Sequence, residues 1–289
     1  MLTVGLAGLG NVGAPLARNL LAAGISVRGL ARSAKPALED AGLVPAHNIA
    51  ELAETSDVIV TALPGAEALE SLVAGLSRHR GRARIVADMS SYDLSAKAWN
   101  AERLAKVGVA HLDCEISGLP PMIRNRQAVI FKSGDAGAVD ELAPVFDAMT
   151  QHHFMLGDFG AATKMKLIAN LMVCIHNLMA AEALNLGERA GLRKEDMIAV
   201  LQGSAASSST FRFKAPLMAR RDFDDGVGPF EHMFGYLDRV EQLADGVGAS
   251  SVLLQAARGL YARAEAEGRH RQDIAAILEI VEQTNRGTK

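Results

Sequence analysis

Through about the first 160 residues, short apolar runs alternate with stretches in which apolar residues recur every three or four positions. The runs 2–7, 25–31, 58–62, 84–87, 110–112 and 128–132 have the length and β-branched content of buried strands. Helical spacing begins near Ala14, Pro36, Glu67, Leu94 and Ala138. Such alternation predicts an α/β fold, a doubly wound parallel sheet covered by helices. After about Gly160 the strand signal stops, and the rest reads as helices separated by breaks at 203–209 and 222–229. The expected division is a Rossmann-type domain over 1–160 and an all-α domain over 161–289, joined by a long helix from about 161 to 190. That helix is apolar on nearly every face, so it is expected to be enclosed by protein.

Composition narrows the class. With 289 residues, 49% apolar and 22% charged, the chain carries enough apolar material for two cores and too much to be disordered. A net charge of -3 excludes the strongly basic field of a nucleic-acid binder. Segment 165–184 is long enough to span a bilayer but contains Asn170, His176, Asn177 and Glu182 beside Lys166, which fits a buried helix and predicts no membrane partner. No export signal precedes the first strand-like run, so the expected location is cytoplasmic. The two cysteines, Cys114 and Cys174, form no CxxC pair and read as reduced packing residues. His152 and His153 lack further ligands at metal spacing, so no metal is expected. Arg124 and Arg126 read as part of a charged surface hairpin.

The sharpest motif is GLGNVG, with Gly8, Leu9, Gly10, Asn11, Val12 and Gly13 lying directly between the first strand and the helix that Pro15 helps start. The first glycine permits a tight turn, the second lets backbone approach a pyrophosphate, and the third lets helix and strand pack closely. The free N–H groups of the helix then face the phosphates. The second strand ends in Ala31, Arg32 and Ser33, with no carboxylate to hold a ribose 2′-hydroxyl. Arg32, with Arg28 and Lys35 nearby, suits a 2′-phosphate, so NADP is expected in preference to NAD. Leu63, Pro64, Ser90 and Ser91, at later strand ends, are expected to border the same crevice.

These segments resemble the β-hydroxyacid dehydrogenase family, which includes 3-hydroxyisobutyrate dehydrogenase, tartronate semialdehyde reductase and 6-phosphogluconate dehydrogenase. GLAGLGNVGAPLARNL is similar to the family's opening signature, and DMSSYDLSAKAWNAERLAKVGVAHLDCEISG to its aspartate-Ser/Thr segment and substrate loop. GDFGAATKMKLIAN resembles the catalytic segment in which an asparagine follows a lysine by four residues, here Lys166 and Asn170. Residues four apart share a helix face. A lysine among apolar groups has its charged form disfavoured, which suits it to proton transfer. The resemblance implies that Lys166 exchanges the hydroxyl or carbonyl proton, that Asn170 holds the substrate oxygen, and that Ser117 and Gly118 bind the substrate carboxylate.

The chain departs from the family pattern at three places. Glu115 stands where the family has proline, and Leu119 where it has a second glycine. Glu115 either points inward, where it repels a carboxylate, or faces solvent as most glutamates do. The family's Lys-Asp pair in the C-terminal segment aligns with Gly235 and Tyr236, and no lysine occurs between Lys214 and Lys289. His232 or Tyr236 is left to fill that space as a hydrogen-bonding group. The expected activity is NADP-dependent interconversion of a β-hydroxy acid and its semialdehyde in a homodimer or homotetramer. Imine reduction, which the same architecture supports generally without the lysine, and NADP binding without turnover are the alternatives.

Overall fold

The computed structural model describes residues 2–224 and 228–284. Eight strands form one sheet in the order β3-β2-β1-β4-β5-β6-β7-β8. They are β1 (Thr3–Ala7), β2 (Ser26–Leu30), β3 (Val44–Pro45), β4 (Val58–Thr61), β5 (Ile85–Asp88), β6 (Ala110–Ser117), β7 (Val129–Ser133) and β8 (His152–Met155). Neighbours pair in parallel except β6 and β7, which run antiparallel, so β7 and β8 reverse the wholly parallel sheet expected from the pattern. The central strands β4 and β5 are buried at every position, as strands covered on both faces must be. Val4, Leu6 and Leu16 belong to one apolar layer; Leu52, Ile59, Leu72 and Val86 belong to another.

Two strands lacked a readable signal, and a third was read short. β3 has two residues and ends in proline at the sheet edge, where a missing donor is tolerated. β8 lies at the other edge and carries His152 and His153 instead of an apolar run. β6 was expected over 110–112 but continues to Ser117, because Asp113 and Glu115 interrupt the apolar pattern without interrupting burial. The surface hairpin expected around Arg124 and Arg126 is instead a helix, Pro120–Arg124, started by two prolines in its first turn. Arg126 follows it with φ of 58° and donates to the Asp147 carbonyl.

The chain divides into two compact units between Lys166 and Leu167. After β8 every regular element among the described residues is helical: Ala161–Arg189, Lys194–Gln202, Ser209–Arg220, Phe230–Gly246, Val252–Ala266, a short 3-10 turn at Ile274–Ala276, and Ile277–Thr284. Phe211, Phe230, Leu237, Tyr261 and Ile277 form the second unit's core. Asn177 is buried there and donates to Tyr261 Oη at 3.1 Å and to the Ile274 carbonyl at 2.8 Å. Lys214 pairs with the buried Asp273 at 2.6 Å.

The long helix Ala161–Arg189 does not meet the expectation of enclosure. Met165, Ile168, Met172, Met179 and Leu186 are exposed. Their spacing of three, four and seven puts them on one stripe, so a single chain covers only part of this helix. Cys114 and Cys174 are both free and buried, and burial pushes the Cys174 thiol up to about 12.

Candidate active site

The glycine turn follows β1 and leads into the helix Gly13–Ala22. Gly8 has φ of +95°, and a Cβ there would stand 2.3 Å from the Ala62 carbonyl oxygen, just beyond β4. A Cβ on Gly13 would stand 1.8 Å from the Gly8 carbonyl oxygen. Gly10 is exposed, and a Cβ there would meet no protein atom within 4 Å. The helix has no side-chain cap and no acidic residue in its first turn; Ala14 N donates to the Gly10 carbonyl at 3.0 Å and Pro15 has no N–H, so the donors left to an outside acceptor are those of the turn, at Asn11, Val12 and Gly13. These features fit a dinucleotide pyrophosphate, with the order β3-β2-β1-β4 placing the turn at the sheet's switch point. Gly13→Ala is expected to destabilise the first unit by about 1–3 kcal/mol through overpacking, read by urea denaturation, and to weaken NADPH binding.

The other cofactor candidates divide. Leu9 is buried in the core, so only its backbone is available at the turn. Asn11 is exposed and Val12 half-buried. Ala31, Arg32 and Ser33 continue directly from β2, whose Leu30 carbonyl accepts from Gly8 N at 3.0 Å. Arg32 and Ser33 are exposed. Lys35, expected near the 2′-phosphate, lines a shallow hollow with Arg18 and Arg124, which sequence reasoning did not place there. Arg28 does not join it; it lines a separate hollow with Thr3, Ser26 and Arg82 beside the starts of β1 and β2. Leu63 N donates to the buried Ser90 Oγ at 2.9 Å, which ties the end of β4 to the end of β5, while Pro64 is exposed.

A second constellation lies at the C-terminal end of β6. Alternation along the strand puts Asp113, Glu115 and Ser117 on one face. Lys97, from the helix Leu94–Ala105, is fully buried and donates to Asp113 Oδ1 at 2.9 Å, Glu115 Oε1 at 3.0 Å and the Cys114 carbonyl at 3.3 Å. Ser91 Oγ donates to the other Glu115 oxygen. Glu115 therefore points inward, and the solvent-facing alternative is excluded. Asp113 also accepts from Thr163 N at 2.9 Å, Thr163 Oγ1 at 2.7 Å and Ser133 Oγ at 3.0 Å, so it anchors the first turn of the long helix. Three residues on, Lys166 Nζ donates to the Ile116 carbonyl at 2.8 Å.

Burial disfavours a charge on Lys97, but Glu115, Asp88 and Asp113 outweigh it and raise its pKa. Burial likewise opposes ionisation of Asp113, yet Lys97 and Thr163 hold its carboxyl below the usual range. Asp88 is held down in the same way, against burial, by Lys97, His111 and Thr61. Glu115 differs: burial pushes its carboxyl up, and Lys97, Lys166 and Ser91 offset this only in part.

Ser117 ends β6 half-buried opposite Val129, and its hydroxyl makes no hydrogen bond among the described residues. A Cβ on Gly118 would stand 2.8 Å from Ala128 Cβ, so this glycine serves a close approach. Leu119 is half-buried at the head of the helix Pro120–Arg124. In the second unit, Asn170 is buried one helical turn beyond Lys166, and its Nδ2 has no hydrogen-bond partner among the described residues. Tyr236 is half-buried on the helix Phe230–Gly246, with the Arg239 guanidinium 4.5 Å over its ring. Arg239 Nε donates to the Gly235 carbonyl at 3.1 Å, putting a cation one turn from the position where lysine is missing. His232 is exposed.

Lys97 and Asp113 were not identified from the sequence as site residues. The available signal was a pair of carboxylates, Asp113 and Glu115, alternating along an otherwise apolar strand.

Fold and glycine turn together define an NAD(P)-dependent oxidoreductase. The family model described as the NAD binding domain of 6-phosphogluconate dehydrogenase matches residues 3–157, and that for the NAD-binding of NADP-dependent 3-hydroxyisobutyrate dehydrogenase matches residues 160–281. The chain belongs to the 3-hydroxyisobutyrate dehydrogenase-like family of β-hydroxyacid dehydrogenases. It is 28% identical over 287 residues to 3-sulfolactaldehyde reductase of Escherichia coli (strain K12), covering 97% of this chain and 96% of that one. It is 27% identical over 288 residues to 2-(hydroxymethyl)glutarate dehydrogenase of Eubacterium barkeri, covering 97% and 95%. In fold it is similar to a 3-hydroxyisobutyrate dehydrogenase from Salmonella typhimurium, with a TM-score of 0.87 at 24% identity, covering 97% and 100%.

Proposed function

We propose that the chain interconverts a β-hydroxy acid, or a related alcohol, and its semialdehyde or carbonyl form, with NADP as preferred cofactor and Lys166 as acid/base. The observation that carries this reading is the bond from Lys166 Nζ to the Ile116 carbonyl, which sets the ammonium one residue before Ser117 and Gly118. The similarity to reductases and dehydrogenases of small acids and aldehydes supports it. We assign dinucleotide binding to residues 1–160, and substrate binding and dimerisation to 161–289.

The bound nicotinamide supplies hydride transfer. Gly8 and Gly13 let the turn close against β4 and against itself, Gly10 leaves room for the pyrophosphate, and the turn's N–H groups up to Gly13 are its donors. Arg32 and the cationic hollow of Arg18, Lys35 and Arg124 attract a 2′-phosphate. Lys166 gives a proton to the substrate oxygen during reduction and takes one during oxidation. Asn170 Nδ2, a buried donor with no other hydrogen-bond acceptor among the described residues, holds that oxygen. Ser117 Oγ and the Gly118 N–H receive the substrate carboxylate, and Tyr236 is assigned to substrate binding. The exposed stripe from Met165 to Leu186 supports a homodimer or homotetramer, and the enzyme is assigned to the cytoplasm.

The test is nicotinamide absorbance during turnover with NADPH and NADH across semialdehydes, ketones and cyclic imines. Reduction of a semialdehyde with NADPH preferred supports the reading; tight NADPH binding without turnover on any panel rejects it. Arg32→Ala is expected to weaken NADPH about 10- to 100-fold, as a charged hydrogen bond worth roughly 1.5–3 kcal/mol is lost, and to leave NADH nearly unchanged. Fluorescence titration with both cofactors reads this difference.

A further inference from the structure

The helix that carries Lys166 is capped from outside its own segment. It begins at Ala161, directly after Gly160, which has no side chain to offer. Two of its first N–H groups are met instead from the sheet: Ala162 N donates to Ser133 Oγ of β7 at 3.0 Å, and Thr163 N to Asp113 Oδ2 of β6 at 2.9 Å. Thr163 Oγ1 donates to the other Asp113 oxygen at 2.7 Å. A first turn gripped by one carboxylate through both backbone and side chain is fixed in rotation as well as in position. The turn before it is pressed on the helix that carries Lys97, since a Cβ on Gly160 would stand 3.0 Å from Leu94 Cδ1.

Asp113 is itself held still. Each of its oxygens takes two bonds: Oδ1 from Lys97 Nζ at 2.9 Å and Thr163 Oγ1, Oδ2 from Ser133 Oγ at 3.0 Å and Thr163 N. That fills the acceptor sites of a carboxylate. Three residues along the same strand, the Ile116 carbonyl receives Lys166 Nζ at 2.8 Å. The strand leading to Ser117 and Gly118 therefore grips the helix at 113 and receives its lysine at 116, and the two grips lie three residues apart on both elements.

We propose that Asp113 is a positioning residue: through Thr163 it fixes the first turn of the long helix on β6, so that the Lys166 ammonium stands at the Ile116 carbonyl beside Ser117 and Gly118. The role rests on Lys166 being the acid/base. A buried ion pair is a weak source of stability, because apolar residues of similar volume often serve as well. What an apolar residue does not supply is a pair of acceptors aimed at Thr163.

Cutting the link at Asp113 would also leave Lys97 short of a counter-ion, so the test cuts it from the helix side. Thr163→Val keeps the shape and loses the bond from Oγ1; Thr163→Ser keeps the hydroxyl and is the rescue. The first readout needs no substrate. Trace labelling of the intact protein with acetic anhydride, read by peptide mass spectrometry, gives the rate at Lys166 relative to Lys164, which is exposed on the same helix. Thr163→Val is expected to raise this ratio about two- to tenfold, the worth of one hydrogen bond, and Thr163→Ser to leave it near wild type. The second readout is turnover of a semialdehyde with NADPH, where Thr163→Val is expected to lower kcat about tenfold, within the roughly 10²-fold that a 1 Å misplacement costs, with KM for NADPH unchanged. A purely structural role predicts the opposite order of damage, because serine leaves a small cavity at this buried site and valine fills it. An unmoved Lys166 ratio in Thr163→Val, or an equal loss of kcat in the valine and serine variants, overturns the proposal. Should Thr163→Val fail to fold, Ser133→Ala frees Asp113 Oδ2 and Ala162 N together and is judged by the same ratio: a rise supports the role, and no rise overturns it. Hydride transfer by Lys166→Ala is measured alongside. If that variant keeps full activity, the acid/base reading falls and the role of Asp113 with it, whereas an inactive Lys166→Ala with an unmoved ratio in Thr163→Val rejects the role of Asp113 alone.

Discussion

Lys166→Ala is expected to lower turnover by about 10²- to 10⁴-fold, the usual contribution of a positioned acid/base, while NADPH binding stays close to wild type. The asymmetry follows from where the parts lie. Residues proposed for the dinucleotide stand at the ends of β1, β2 and β4, whereas Lys166 Nζ is held at the end of β6 by the Ile116 carbonyl. Lys166→Arg keeps the positive charge but replaces an ammonium with a guanidinium that does not release its proton at accessible pH. Both variants are therefore expected to be inactive if the lysine moves a proton. If the lysine contributes only its charge, the arginine variant retains activity. Steady-state assays on any semialdehyde turned over by the wild type separate these outcomes, with cofactor affinity measured by fluorescence.

Lys97→Met is expected to destabilise the first unit by about 3–5 kcal/mol, because it leaves Asp113 and Glu115 as uncompensated buried charges. Lys97 has no exposed side-chain surface, and both carboxylates it serves are equally enclosed. The control is Arg82→Ala, which breaks the Arg82–Asp57 pair at 2.7 Å with the arginine 57% exposed. That variant is expected to cost about 0–1 kcal/mol. Urea denaturation of the two variants compares them directly. Adding Glu115→Gln to Lys97→Met removes one of the stranded charges and is expected to recover part of the loss, a non-additivity characteristic of residues in one network. Equal small effects for Lys97→Met and Arg82→Ala would show that the buried cluster is not ionised as described.

The architecture was readable because it rests on periodicity. β1, β4 and β5 are largely apolar runs, and the helices that cover the sheet repeat at three and four residues, so both signals survive without tertiary information. GLGNVG was equally legible, since Gly8 and Gly13 answer to close backbone approaches that no other residue satisfies. The buried charges were not. Lys97 lies on a helix whose apolar pattern is weak, and nothing local marks it as enclosed; its meaning comes from β6, reached through a chain separation of 16 to 18 residues. Glu115 was recognised as a departure, but its direction depended on that unseen partner. The long helix shows the opposite limit: its all-round apolar character was evident, while the exposed stripe through Met172 and Met179 depends on which neighbours the single chain supplies.

Because Lys97 and Glu115 are held to each other, position 115 is not free to drift by itself. Proline at 115 would remove one acceptor of the Lys97 ammonium and leave it to Asp113, the anchor of the long helix, and the Cys114 carbonyl. Positions 97 and 115 are therefore coupled, and a loss of charge at one is expected to be tolerated better when the other loses its charge as well.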